Sequence, residues 1–97
     1  MTDTSVAIQV LPNVPDSDVF RVVDEVIAYI QKSGVKHVVT PFETVLEGDY
    51  DELMEIVKQC QLICIKAGAP SVMSYIKIHH NPNEGVWSIE EKTDKYQ

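Results

Sequence analysis

The chain has 97 residues, a formal net charge of −7 at pH 7 and 44% hydrophobic residues, which predicts one globular domain over residues 1–97. Its eight Lys and Arg residues are scattered along the sequence, and the lack of a basic patch excludes nucleic-acid binding. No apolar run approaches the roughly 18 residues of a membrane span, and the first residues lack the pattern of a signal peptide. We therefore expect a cytoplasmic protein without membrane contact.

The first half of the chain predicts a strand, a helix and a second short strand. Residues 5–11 alternate between apolar and less apolar side chains, which is typical of a strand with one buried face. Apolar residues then recur at helical spacing over residues 19–30, and Asp16 or Ser17 is the expected N-cap. The Val-rich residues 37–40 follow as a short strand.

The second half repeats this order of elements without repeating the residues. Residues 43–47 form a short strand, which either pairs with the preceding strand as a hairpin or continues it with a break near Pro41. The next helix is expected to begin after Asp49 and to end at Gly68. Residues 71–80 then form the longest predicted strand.

A β-α-β-β-α-β order predicts an α+β protein, a ferredoxin-like sandwich with an antiparallel sheet. A short C-terminal helix is expected to follow, capped by Ser88 with Glu91 at the third helical position. The sequence leaves open whether residues 88–97 pack on their own subunit or on a partner.

Both helices of such a sandwich cover one face of the sheet, and the other face is left bare. On the first and last strands, the bare face is expected to carry the less apolar set of side chains: Ala7, Gln9, Leu11, Met73, Tyr75, Lys77 and His79. Because this set still contains much apolar surface, we expect a homodimer formed through the sheet, which can double to a homotetramer. The alternative is a monomer with an ordinary amphipathic sheet face.

The segment 40–49 is the most unusual stretch, because hydroxyls and carboxylates stand where short strands usually carry apolar residues. Thr44 and Glu47 lie at a strand end beside a predicted helix N-terminus. A carboxylate there can accept hydrogen bonds from an amino group or a protonated ring nitrogen, and a threonine can donate or accept beside it. This pair suits an aminopyrimidine or a cation, while the alternative is that both residues only satisfy local backbone groups.

Other chemistry-bearing residues form no recognisable constellation. Cys60 and Cys64 lie one helical turn apart and are expected to be buried as small apolar residues. His79 and His80 are adjacent on a strand and point to opposite faces, so they cannot share one metal ion. Since the sequence also lacks a P-loop and a nucleophile elbow, we expect no metal, no cofactor and no enzymatic activity.

Three stretches of the chain, residues 7–12, 41–49 and 74–78, together resemble the small thiamine-binding protein family. The resemblance spans roughly residues 5–92, and the Thr-x-x-Glu-Gly-Asp element at 44–49 is its most specific part. It implies a ferredoxin-like fold, dimers or tetramers, and binding of thiamine or its hydroxymethylpyrimidine moiety without catalysis. Two rival hypotheses remain: an assembly module without a ligand, and an enzyme of the dimeric α+β barrel type.

The resemblance also implies site residues. Thr44 and Glu47 become the principal candidates, Thr40 is a lesser one, and Gln9 and Tyr75 join them if the open sheet face contributes to the pocket. Tyr75 or Trp87 is then expected to stack on a ligand ring. The chain departs from the family pattern by lacking an arginine at the start and end of its last strand, which favours the free vitamin or its pyrimidine over a phosphorylated ligand.

Overall fold

The computed structural model describes residues 2–97, and its elements follow the predicted β-α-β-β-α-β order. The elements are β1 (Thr4–Pro12), α1 (Asp16–Ser33), β2 (Lys36–Val39), β3 (Thr44–Gly48), α2 (Tyr50–Lys66), β4 (Val72–His80) and α3 (Ile89–Thr93), with a final 3-10 turn (Asp94–Tyr96). The predicted ferredoxin-like α+β class is confirmed. The two short strands lie within one residue of their predicted bounds.

The four strands form one antiparallel sheet in the order β2-β3-β1-β4. β1 and β4 pair over nine residues each, from Thr4 opposite His80 to Pro12 opposite Val72. β2 and β3 form a hairpin rather than one bent strand, and the Thr40 N–H donates to the Glu43 carbonyl at 3.0 Å to close its turn. Central strands β1 and β3 therefore carry the contacts that set the register of the whole sheet.

The core lies between the two long helices and one face of the sheet. Strand alternation sends every second side chain of β1 and β3 to this face, and they meet the apolar stripes of α1 and α2. The buried apolar residues are Val6, Ile8, Val22, Val26, Ile30, Val35, Leu46, Leu53, Ile56, Val57, Cys60, Cys64 and Ala69. Full burial of each large aliphatic side chain contributes about 1.5–3 kcal/mol, so this layer holds the helices on the sheet.

The cap of α2 agrees with the prediction from the sequence, and the cap of α1 does not. The Asp49 carboxylate accepts from the Glu52 N–H at 3.3 Å and caps α2 as predicted. The prediction for α1 is wrong, because Asp16 is already helical and Pro15 occupies the cap position without a side-chain bond. The Pro15 carbonyl accepts from the Asp18 N–H at 2.8 Å, so the backbone closes the first turn of α1 without a side-chain cap.

The C-terminal segment, residues 86–97, packs on its own chain at one end of the open sheet face. The Val86 N–H donates to the Thr2 carbonyl at 3.0 Å, and α3 then reaches β3. There, one Glu47 oxygen accepts from the Ile89 N–H at 2.8 Å, and the other pairs with the Lys36 ammonium at 2.8 Å. Lys36 also pairs with Glu90, so Glu47 and Lys36 anchor the segment.

Glu47 is a charged residue with only 6% of its surface exposed. A carboxylate can be buried at this level when charged and polar partners replace its water. Glu47 first, and Glu90 second, hold the pKa of the Lys36 ammonium above its usual range through hydrogen bonds. The buried carboxylate is thus compensated on both oxygens. Among residues 2–97, no helix has the length and apolarity needed to cross a membrane.

Both cysteines are fully buried in α2, which matches their predicted place among the apolar residues. Burial raises the pKa of the Cys60 thiol to about 12, and the neighbouring Cys64 adds to this effect.

Because the thiolate is the reactive form, we predict that neither thiol reacts measurably with iodoacetamide in the native protein at pH 8.5. Both should react fully in guanidinium. A Lys58→Cys variant places a thiol on the exposed side of the same helix, and only this thiol should be labelled in the native state.

The anchoring of the C-terminal segment can be tested at Glu47. In Glu47→Ala, the Ile89 N–H loses a charged acceptor whose hydrogen bond is worth about 1.5–3 kcal/mol. We expect amide exchange in residues 89–93 to become roughly tenfold faster or more, while the amides of α1 keep their protection. Glu47→Gln retains an acceptor and should have a smaller effect. Glu43→Ala removes a half-buried carboxylate of the same face and serves as the control. Unchanged exchange in Glu47→Ala would contradict the anchoring role.

Candidate functional site

A cavity of about 220 Å³ opens between α1 and the end of the sheet that carries the β2-β3 turn. Its walls come from three places: the inner face of α1, the second half of β1, and residues 39–44. The apolar lining residues are Ile8, Val10, Leu11, Val19, Phe20, Val23, Val26, Ile27, Ile30, Val39, Pro41 and Phe42. The remaining lining residues are Gln9, Thr40, Glu43 and Thr44. The cavity is therefore an apolar recess with a few polar groups near its rim.

Thr44 is the polar residue best placed to meet a ligand. It pairs with Ile8 across β1 and lies on the helix-facing side of the sheet, with 8% of its surface exposed. Within the described residues 2–97, the Thr44 hydroxyl makes no hydrogen bond to another group of the chain. A hydroxyl can donate one hydrogen bond and accept two. A bound molecule can therefore use Thr44 without breaking an existing contact.

Thr40 lines the same cavity, but its hydroxyl is already used in the β2-β3 turn. It donates to the Glu43 carbonyl at 2.6 Å and accepts from the Glu43 N–H at 3.1 Å. This is the local side-chain-to-backbone bonding that favours threonine in turns. Thr40 therefore shapes the wall of the cavity, and its hydroxyl has little capacity left for a ligand.

Gln9 and Tyr75 lie opposite each other on β1 and β4. Gln9 is among the lining residues of the cavity, at its rim. Its place in the strand alternates with Ile8, so its side chain belongs to the open face of the sheet. Tyr75 lies on the same open face with 57% of its surface exposed and does not line the cavity.

The structure does not bring Thr44 and Glu47 together. They are three residues apart on β3, and an odd separation on a strand places two side chains on opposite faces. Thr44 faces α1, while Glu47 lies on the open face beside Ser5 and beneath the C-terminal segment. Of the five predicted site residues, Thr40, Thr44 and Gln9 surround the cavity, and Glu47 and Tyr75 lie away from it.

Two aromatic residues that the sequence analysis did not single out lie at the mouth of the cavity. Phe20 of α1 is 80% exposed and Phe42 of the turn is 77% exposed, and both line the recess. Large apolar side chains this exposed mark a surface that accepts a partner or a ligand. The sequence carries a weak indication of this position for Phe20, because Phe20 falls outside the buried apolar stripe of α1. Trp87, the other predicted stacking residue, lies near His79 and the C-terminal segment instead.

The electrostatic setting of the cavity favours neutral or cationic molecules. None of its lining residues is Lys, Arg or His, and Glu43 is the ionisable residue among them. The Glu43 carboxylate lies 3.3 Å from the Lys77 ammonium, a pair that is largely open to solvent and therefore weak. An anionic group in the cavity would find no cation to replace its lost hydration.

Comparison with known proteins identifies the family of this chain. The family model described as thiamine-binding protein matches residues 6–97. The chain is 46% identical to a UPF0045 protein of Clostridium perfringens, over all of both chains. A Bacillus cereus domain of unknown function is 42% identical with a TM-score of 0.90, covering 100% of this chain and 93% of that one. A Thermotoga maritima protein, described as a candidate for thiamine biosynthesis or salvage, is 32% identical with a TM-score of 0.86, covering 98% and 99%. The chain belongs to the thiamine-binding protein family.

Proposed function

We propose that this protein binds thiamine, or its hydroxymethylpyrimidine moiety, in the cavity between α1 and the β2-β3 turn, and releases it chemically unchanged in the cytoplasm. One structural observation supports the proposal. An apolar recess holds an unused threonine hydroxyl and opens between two exposed phenylalanines. Membership of the family supports a thiamine-related role, and the cavity offers groups that suit the parts of that ligand.

The size of the cavity indicates how the ligand enters. At about 220 Å³, it is smaller than the roughly 300–1,000 Å³ of sites that enclose drug-sized molecules. One ring fits inside, and the rest of a two-ring ligand stays at the mouth. We place the aminopyrimidine ring inside, where the Thr44 hydroxyl can pair with a ring nitrogen or the amino group.

The phenylalanines at the mouth suit the second ring of thiamine. The thiazolium ring carries a positive charge, and the face of an aromatic ring attracts cations. Phe20 and Phe42 lie on different elements, so they can contact the ring from two sides. With no basic residue in the lining, nothing in the cavity repels that charge.

Binding without catalysis is the form of the proposal that the cavity supports. Its polar lining residues are two threonines, one glutamine and one glutamate. They include no thiol, imidazole or amine that could act as a nucleophile or a base near neutral pH.

The rival assembly-module hypothesis gains support from exposed apolar residues on the open face, among them Leu11, Met73 and Tyr75. We propose that homodimers or homotetramers form alongside ligand binding.

Calorimetry with thiamine and with hydroxymethylpyrimidine tests the proposed site. We expect saturable binding of one molecule per chain. Thr44→Val keeps the shape of the side chain and removes one hydrogen bond worth about 0.5–1.5 kcal/mol, so the affinity should fall about two- to tenfold. Phe42→Ala should weaken thiamine more than the pyrimidine, because it removes the contact with the thiazolium ring.

Two controls locate the site within the chain. Tyr75→Ala removes an exposed aromatic residue of the open face that does not line the cavity, and should leave the affinity unchanged. Glu47→Gln, which alters the carboxylate on the opposite face, should do the same. Loss of binding in Glu47→Gln with undiminished binding in Thr44→Val would move the ligand to the open face. Absence of heat from a folded protein with either ligand would favour the assembly module.

The lack of basic lining residues also predicts selectivity among thiamine forms. A diphosphate group at the cavity mouth would find no basic lining residue. We therefore expect thiamine diphosphate to bind more weakly than thiamine in the same calorimetric assay. Tighter binding of the diphosphate than of the free vitamin would contradict the proposed position of the second ring.

A further inference from the structure

Another cavity, of about 600 Å³, opens where the end of β4 meets the C-terminal segment, and we call it the C-terminal pocket. It is lined by His79 of β4, by residues 81 and 84–87, and by Glu91 and Lys92 of α3. None of these residues lines the cavity beside α1. The volume lies within the roughly 300–1,000 Å³ of sites that enclose small ligands. The C-terminal pocket therefore has room for a molecule of its own.

Hydrogen bonds hold the turn that forms one wall of the C-terminal pocket. The Asn81 N–H donates to the Asp3 carbonyl at 2.8 Å, and the Asn81 carbonyl accepts from the Gly85 N–H at 2.9 Å. The side-chain oxygen of Asn81 accepts from the Glu84 N–H at 3.2 Å. Because this wall is ordered before a ligand arrives, less free energy is lost in ordering it on binding.

α3 contributes an acidic residue that is also held in place. The Glu91 carboxylate accepts from the Ser88 N–H at 2.8 Å, and the Ser88 hydroxyl accepts from the Glu91 N–H at 3.1 Å. The hydrogen bonds from Ser88 hold the pKa of the Glu91 carboxyl below its usual value. Glu91 is therefore negatively charged at neutral pH, and only one of its oxygens takes part in this cap.

Residues of both charges line the C-terminal pocket without neutralising one another. Glu84 and Glu91 are acidic lining residues, and Lys92 is a basic one. Among residues 2–97, none of these three side chains forms an ion pair. A molecule that carries both an ammonium and a carboxylate can therefore pair with both kinds of residue at once.

Trp87 gives the C-terminal pocket an apolar surface. It is the single tryptophan of the chain, and 68% of its surface is exposed. An aromatic side chain this open offers a large flat area for contact with an apolar group. The pocket thus combines acidic, basic and aromatic residues within one small volume.

We propose that the C-terminal pocket binds a small zwitterion with an apolar body, of the kind presented by an apolar α-amino acid or a short peptide. The carboxylate of this ligand pairs with the Lys92 ammonium, and its ammonium pairs with the Glu84 carboxylate. Its apolar body lies against the Trp87 indole.

The two kinds of charge select against simpler ligands. A cation without an anionic group would leave the Lys92 ammonium as a repelling charge, and an anion without a cationic group would meet the charges of Glu84 and Glu91. Thiamine carries a positive charge and no negative one, so it does not suit this pocket. The inference is therefore independent of the function proposed above.

Trp87 is the reporter for the first test, because no other residue of the chain contributes tryptophan fluorescence. Titration with leucine should change the Trp87 emission saturably. Leucyl-leucine tests a short peptide in the same way, and the tighter of the two ligands identifies the source of the zwitterion. Isoamylamine lacks the carboxylate of leucine and isocaproate lacks its ammonium, so each should bind about tenfold more weakly or worse.

Calorimetry with the tighter zwitterion then locates the two charges. Lys92→Gln and Glu84→Gln each remove one ion pair with the ligand and should each weaken binding about three- to tenfold. Lys92→Arg keeps the positive charge and should keep most of the affinity. Lys95→Gln is the matched control, because it removes an ammonium of the same segment that does not line the pocket.

Thr44→Val separates this site from the cavity beside α1 and should leave zwitterion binding unchanged. Circular dichroism confirms that each variant is folded. The proposal would be overturned by wild-type protein that shows neither a change in Trp87 emission nor binding heat with either zwitterion. Equal binding of leucine and isoamylamine, an affinity indifferent to both Lys92→Gln and Glu84→Gln, or loss of zwitterion binding in Thr44→Val would overturn it as well.

Discussion

The alternation of side chains along the two central strands decides what each side of this molecule can do. β1 and β3 send Val6, Ile8, Thr44 and Leu46 towards the helices, and their other residues towards the open face. A shift of one residue in either strand would exchange the two sets. The core and the anchoring of the C-terminal segment both depend on this one register, because each uses strand residues of a single parity.

Because side chains alternate along β3, its two faces serve different purposes: one borders the cavity and the other holds the C-terminal segment. On the helix side, Thr44 closes the core layer at the point where α1 no longer fills the space, and a recess remains. On the open side, Glu47 holds the C-terminal segment through the Ile89 N–H and joins it to Lys36. A buried carboxylate with both oxygens in use is costly to disturb. Glu47 is therefore suited to fixing structure, while the unused hydroxyl of Thr44 is suited to meeting a ligand.

Much of the fold could be predicted from the sequence, because the deciding signals are local. Helical spacing, strand alternation and the Asp49 cap each depend on residues a few positions apart. Thr44 and Thr40 could also be placed near one site, since a short hairpin keeps neighbours close. The relation of Thr44 to Glu47 could be derived from strand parity alone. The pairing of Phe20 with Phe42 could not, because it depends on how α1 lies over the sheet, which no local pattern encodes.

The order of the strands separates the cavity from the long free edge of the sheet. The cavity is lined by α1, β1 and residues 39–44, and no residue of α2 or β4 contributes to it. In the order β2-β3-β1-β4, the turn that shapes the cavity joins the strands on one side of β1, while the free long edge lies on the other side. The turn that carries Phe42 therefore lies on the side of β1 away from that edge, and a change at the β4 edge need not disturb the wall of the cavity.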